Sequence, residues 1–385
     1  MPRLGTEDGQ SALIPVPPFK EQTRIVAKVE QLMSLCDELE ARKQRRDNER
    51  IALNATLLDE LLSAESDKDF QKCWQRICDN FHLLYDNSEN VGKLRQAILE
   101  LAVRGRLVPQ YPNDEPASVL LEKIRAEKER LIREKKIKRD RGVFSEKIQK
   151  PFDIPETWEW AYLGNVVDYG GGKKFNAEDV PQKAWLLELE DIEKDTSLII
   201  QRIKAEERRP QSTKTFFDKG CVLYGKLRPY LNKVVVADAE GYCTTEILAL
   251  RVFSDFSAHY LMYVLKSPFF LAYVNSKMYG MKMPRLGTED GQSALIPVPP
   301  FKEQTRIVAK VEQLMSLCDQ LETKIRQAQS DIESIMTEAV GSLISHETFK
   351  NHWREYESNS VKDIKEKQRQ NAGKRFVAGF QDGNF

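Results

Sequence analysis

The 385-residue chain carries 59 Lys plus Arg against 59 Asp plus Glu, a balance that excludes any global basic excess, so a nucleic-acid surface would have to be a local cluster. The length allows two or three domains with real cores, and no uninterrupted apolar run approaches the roughly 20 residues of a membrane helix. Cys36, Cys73, Cys78, Cys221, Cys243 and Cys318 form no C-x-x-C pair, and no basic-then-apolar leader opens the sequence. The expectation is a soluble, reduced, cytoplasmic chain with no membrane partner.

The first element is a repeat: Met1 to Asp37 returns letter for letter as Met283 to Asp319. Solenoid repeats recur every few tens of residues, so copies this far apart bracket an insert instead. Perfect identity also exceeds what packing demands, because cores tolerate swaps of similar volume at about 1.5 kcal/mol or less. We read it as a recent duplication whose DNA offers a site for exchanging the insert. Pro15 to Pro18 cannot lie inside a helix and fixes where the first long helix begins. Ile25, Val29, Leu32, Cys36 and Leu39 then step by four and three, and after the charged run Ala41 to Arg50 the apolar residues resume at Ile51, Leu53, Leu57 and Leu61. A spacer helix over 1–64 is expected.

A helical region over 65–150 follows. Phe70, Trp74, Ile77 and Phe81 mark one amphipathic helix, and Leu94, Ile98 and Leu101 mark another that stops near Gly105. A charged helix is predicted over Ala117 to Lys138, with Glu129–Arg133 and Glu134–Lys138 placed for i to i+4 pairing. From Phe152 the composition changes to tryptophans, glycines and short β-like runs: Trp185 to Leu189, Cys221 to Tyr224, Lys233 to Ala237, Ile247 to Phe253. A compact α/β domain is expected over 151–297, with a helix near Ser257 to Leu265 interrupted by Pro268. The second copy then opens a distal spacer helix over 298–350, where Ile307, Val311, Leu314, Cys318, Leu321, Ile325, Ile332 and Ile335 continue a heptad seam. A helix of about 40 residues spans about 60 Å, more than a small domain. The polar stretch 351–385 reads as disordered.

Catalytic motifs are missing. There is no G-x-x-x-x-G-K-[ST] phosphate loop and no H-E-x-x-H, and His82, His259, His346 and His352 lack ligand spacing, so no metal site is expected. Gly170-Gly171-Gly172-Lys173-Lys174 reads as a mobile basic loop rather than a phosphate cradle. Val16-Pro17-Pro18-Phe19 resembles the PP[YF] core of adenine methyltransferases, yet valine replaces the polar residue that would hold the target amino group. Cations do interleave with aromatics, however: Lys214, Phe216, Phe217 and Lys219, then Tyr224, Lys226, Arg228, Tyr230 and Lys233. A second cluster holds Lys277, Tyr279, Lys282 and Arg285. Such residues suit phosphate contact and groove reading, and a merely solvated basic surface is the bland alternative.

Four segments carry a family resemblance: PVPPFKEQTRIVAKVEQLMSLCDELE at Pro15 to Glu40 and its copy, LRQAILELAVRGRLVPQ at Leu94 to Gln110, PETWEWAYLGNV at Pro155 to Val166, and GKLRPYLNKVVVA at Gly225 to Ala237. Together they resemble HsdS, the specificity subunit of type I restriction-modification systems. The resemblance implies an α+β architecture: one globular α/β target recognition domain from Phe152 to about Pro297, plus long antiparallel coiled-coil spacer helices that dock the modification subunits. A complete member resembles two recognition domains alternating with two helical regions, so one domain here implies a half-subunit reading half of a bipartite target.

The implied DNA-binding residues are Lys173, Lys174, Lys214, Lys226, Arg228, Tyr230, Lys233, Lys282 and Arg285. Helix-pairing or partner contacts are expected from Ile25, Val29, Leu32, Leu39, Leu94, Ile98, Leu101, Ile307, Val311, Leu314, Leu321, Ile325, Ile332 and Ile335. Double-stranded DNA, methyltransferase subunits, restriction subunits held through them, and a second half-subunit, as a homodimer, are the expected partners. No catalytic residue or cofactor is expected in this chain; S-adenosylmethionine, ATP and Mg belong to the partner subunits. Two other classes compete: a coiled-coil scaffold without sequence-specific DNA binding, and a free-standing methyltransferase, against which the absent motifs argue.

Overall fold

A run free of Pro and Gly directly after a proline block favours a long helix, and α1 (Phe19–Ser63) starts immediately after Pro18. The structure, a computed structural model, describes residues 16–138, 150–280 and 282–344. The opening half of the first repeat, His346, His352 and the expected polar tail lie outside the described residues. The chain divides into two compact units, Met1–Thr56 and Leu57–Phe385. In the first, the apolar stripe of α1 is open to solvent: Ile25, Val29, Leu32 and Leu39 are 47%, 51%, 49% and 56% exposed.

The second unit opens with helices whose caps are legible. The Ser66 hydroxyl accepts the Asp69 N–H at 3.1 Å and starts α2 (Asp67–Asp79), which buries Phe70, Trp74 and Ile77. Asn87 caps α3 (Ser88–Val103) through its side-chain oxygen, and Gly105, at φ 72°, ends it with the Arg106 N–H bonded to the Leu101 carbonyl. A Cβ on Gly105 would stand 2.5 Å from Pro155, so glycine is required there twice over. Leu94, Ile98 and Leu101 of α3 are at most 2% exposed. The charged helix α4 (Ala117–Arg133) is shorter than its sequence suggests. Lys135 turns to φ 58°, and Glu134 pairs with Lys136 at 2.7 Å rather than with Lys138.

Three sheets follow. β1 (Glu159–Tyr162) leads into β2 (Val167–Tyr169), β3 (Lys174–Phe175), β4 (Trp185–Leu187), β5 (Ile203–Lys204), β6 (Lys214–Phe217), β7 (Val222–Gly225), β8 (Val234–Val236), β9 (Gly241–Thr244) and β10 (Ile247–Val252). Strands β2-β10-β7-β8 form an antiparallel sheet, whereas β3-β6-β9-β4-β5 form a mixed sheet in which β4 and β9 are parallel. Ser257 and Ser267 cap α5 (Ala258–Lys266) and α6 (Pro268–Lys277), and Pro268 occupies the first turn of α6, where its missing N–H has no intrahelical role. It starts a helix rather than interrupting one.

The second repeat closes the unit. Its β11 (Leu295–Val298) pairs antiparallel with β1, matching Trp160 to Pro297, and α7 (Phe301–Ile344) begins directly after Pro300. Helix α7 packs on α3 and α5. Ile307, Val311, Leu314 and Cys318 are fully buried there, Leu321 and Ile325 nearly so, and Arg95 of α3 bonds Asp319 at 2.6 Å and Glu322 at 3.2 Å. The fold is α+β. The first half of the α7 seam therefore lies in the globular core against two shorter helices, which impose the same four-and-three spacing as a coiled coil. Leu94, Ile98 and Leu101 are buried in the same core and are not available to a partner.

The two copies thus place the same side chains in opposite environments, which their cysteines report. Burial pushes the Cys318 thiol up to about 12, while Cys36 is exposed. An alkylating reagent at neutral pH is expected to modify Cys36 in the native chain and leave Cys318 intact until unfolding. Peptide mass mapping checks this, and native modification of Cys318 would contradict the packing.

Candidate nucleic-acid interface

The connection from β7 to β8 is built under strain. Arg228 (φ 48°, ψ 57°) and Asn232 (φ 52°, ψ 42°) both take the left-handed conformation around a single 3-10 turn, Pro229–Leu231. Two non-glycine residues in that region cost on the order of 1 kcal/mol each, and persist only where the surroundings impose them. Here the surroundings are explicit. The Arg228 N–H donates to the Pro284 carbonyl at 2.7 Å, the Lys226 N–H to Glu246 at 3.0 Å, and the Leu286 N–H back to Lys226 at 3.1 Å. The Asn232 amide donates to the Lys266 carbonyl, and burial lowers the Lys266 ammonium to about 8 as it bonds the Asp195 carbonyl and the Ser197 hydroxyl.

Isolated bridges join Leu227 to Arg285 and Tyr279 to Arg285. The two cation–aromatic clusters, about fifty positions apart in sequence, therefore become neighbours. Arg228, Tyr230, Tyr279 and Lys282 are exposed along this braced edge, with Lys226 half-buried beside them. A rigid loop that displays Arg and Tyr next to a Lys can hold phosphates and present a flat ring to a groove.

Three expected cations are committed elsewhere. Lys214, 4% exposed, pairs with Glu188 at 2.5 Å. Lys233 donates to the Leu189 carbonyl at 2.8 Å, and Arg285 forks onto Glu246 at 3.0 to 3.3 Å. These three brace the loops instead of facing outward. Lys173 and Lys174 are exposed, but on the mixed sheet at β3. Their glycine run is structural: Gly170 sits at φ 70°, and a Cβ on Gly172 would meet the Phe216 carbonyl at 2.6 Å. The loop is pinned, since the Phe216 N–H donates to the Lys173 carbonyl at 2.8 Å.

Sequence reasoning missed the turn Glu188–Asp191 that anchors this region. Asp191, fully buried, accepts both guanidinium nitrogens of Arg208 at 2.6 and 2.7 Å, the Gln201 amide at 2.8 Å and the Glu188 N–H at 2.8 Å. Burial works to raise its carboxyl, but these donors outweigh it and hold the group below the usual carboxylate range. No spacing rule joins Asp191 to Arg208. Among the described residues, no group of three or more His, Cys, Asp or Glu is placed to hold a metal, and no helix is long and apolar enough to cross a membrane.

The strand-rich region thus carries a braced edge along which the 226–232 and 279–286 segments expose Arg228, Tyr230, Tyr279 and Lys282. Residues 155–328 match the family described as the type I restriction modification DNA specificity domain. The chain is 32% identical over 349 residues to the type I restriction enzyme EcoAI specificity subunit of Escherichia coli, covering 85% of this chain and 57% of that protein. To the EcoEI specificity subunit of the same organism it is 30% identical over 341 residues, covering 82% and 56%. A crystal structure of an HsdS subunit from Thermoanaerobacter tengcongensis aligns at 25% identity over 50% of each chain, with a TM-score of 0.42. The chain is homologous to the specificity subunits of type I restriction-modification systems. It spans little more than half the length of these curated relatives.

Proposed function

We propose that this chain is a non-catalytic DNA specificity component of a type I restriction-modification enzyme, reading one half-site and placing an adenine methyltransferase subunit beside it. The observation that carries the reading is the 226–232 loop, locked in two left-handed conformations against residues 279–286 with Arg228, Tyr230 and Lys282 facing outward. Lys173 and Lys174 extend the basic surface; Lys214, Lys233 and Arg285 act as braces. Replacing Arg228 and Lys282 with alanine is expected to weaken DNA binding and to flatten the salt dependence of log K by about 0.9 for each phosphate no longer neutralised. Binding titrations across a salt series read this directly. An unchanged slope and affinity would favour the scaffold.

The domain boundaries inferred from sequence, with a recognition domain over 151–297 between two helical regions, belong to the same proposal. So does the antiparallel pairing of α1 and α7 as spacers, with methyltransferase subunits docking on the helices and restriction subunits held through them. The apolar stripe Ile25, Val29, Leu32 and Leu39 supports a helix-packing partner, because the identical stripe in the second copy is covered by α3 and α5. Two such chains would present two identical recognition domains and read an interrupted palindrome. Mapping N6-methyladenine in cells carrying this chain and its methyltransferase tests that pairing, and a non-palindromic motif would exclude the homodimer.

A further inference from the structure

The segment Arg209-Pro210-Gln211-Ser212-Thr213 is held at both ends by one turn of chain. On its N-terminal side Arg208 forks onto buried Asp191; on its C-terminal side Lys214 pairs with Glu188 at 2.5 Å. Glu188 and Asp191 are themselves locked, because the Glu188 N–H donates to the Asp191 carboxylate and the Asp191 N–H returns a bond to the Glu188 carbonyl. The same turn accepts Lys233 at the Leu189 carbonyl, so it also anchors the loop that carries Arg228 and Tyr230. Two exposed loops thus spring from one rigid base. Between the anchors the side chains are uncommitted: Arg209, Gln211, Ser212 and Thr213 are exposed, and none makes a hydrogen bond or ion pair among the described residues. Arg209, Gln211 and Ser212 border an open groove of about 410 Å³.

We infer that residues 209–213 form a base-reading loop that helps set the sequence specificity of this chain, with Gln211 and Arg209 as the specificity-determining side chains. Base reading needs donor–acceptor side chains whose positions are fixed by something other than the DNA, and this loop combines the two. Its backbone is tied down by two ion pairs and one proline, and its free side chains are of the kinds that reach base edges. An amide such as Gln211 matches the N6 and N7 edge of adenine, and the fork of Arg209 matches O6 and N7 of guanine. This inference rests on the DNA-reading function proposed above and assigns it to a different loop.

The test uses the full chain co-expressed with its methyltransferase subunit in a methylation-free host, with N6-methyladenine mapped across the genome. For Gln211→Ala and Arg209→Ala, discrimination at one base pair of the motif is expected to fall about 5- to 150-fold while the remaining positions hold. Both positions are exposed, so the melting temperature should stay unchanged. An unaltered motif in both variants overturns the assignment. So does a uniform loss of methylation at every site with the motif intact, which is the behaviour of a phosphate-holding side chain. Failure of the underlying reading looks different: the unsubstituted complex would then methylate no defined sequence.

Discussion

Leu314→Ala is expected to destabilise the chain by about 2 to 5 kcal/mol, while Leu32→Ala, the same change in the same sequence context, shifts stability by about 0.5 kcal/mol or less. The contrast isolates environment from propensity. Both leucines sit in identical local sequence on a helix, so intrinsic helix preference cancels between them. Leu314 is fully buried where α7 packs on α3 and α5, and its removal leaves a cavity that neighbours only partly fill. Leu32 is half exposed and leaves no void. Urea unfolding of the two variants, followed by a probe of the second unit, provides the comparison, and equal losses would refute the unequal burial of the repeats. If a partner covers α1, as proposed, Leu32→Ala should weaken that association while sparing the stability of the free chain.

Asp191→Asn is expected to cost about 3 kcal/mol at neutral pH, the lower end of what breaking a buried ion pair costs, because Arg208 keeps some solvent contact. The pH dependence has a definite sign. The Asp191 carboxyl is held below its ordinary value in the folded chain, so its contribution is complete above about pH 4, near the unfolded value, and disappears as pH falls through the lower folded one. The gap between wild type and variant should therefore be widest at neutral pH and close in acid. Denaturation at pH 7 and pH 3 measures it, and a gap independent of pH would mean that charge is not what the site provides. Because Arg208 leads directly into residues 209–213, the variant should also blur the methylation motif.

The parts of this fold legible in sequence are those governed by local rules. Pro18 and Pro300 mark both long helices to the residue, and the helix expected near Ser257 to Leu265 is observed over Ala258–Lys266. Strands such as β3 and β5, two residues each, exist only because neighbours pair with them, and no periodicity can show in so short a run. The candidate site was half legible for the same reason. Arg228 and Tyr230 announce themselves by type, but the neutralising partner of Lys214 lies 26 positions away, and nothing local indicates it. Likewise the segment that carries Lys282 reaches the Arg228 loop only through long-range pairing, the Leu227–Arg285 bridge and the backbone bonds of Arg228 to Pro284 and Leu286 to Lys226. Gln211 carries no signal in sequence at all; its candidacy comes from the anchors on either side of it.

The duplicated segment has one more implication, for how these positions can vary. A residue such as Val29 or Val311 answers to two sets of neighbours while the copies stay identical, a packed interior in one place and an open helix face in the other. A polar change that would make the open face more soluble cannot be shared with the copy that fills the core, where an unpaired polar group costs on the order of 1 to 3 kcal/mol. The matched copies therefore oblige the chain to display interior-grade surface along α1. Divergence of the two copies in a related sequence, with polar residues entering only the first, would be the molecular record of the open face released from matching the core.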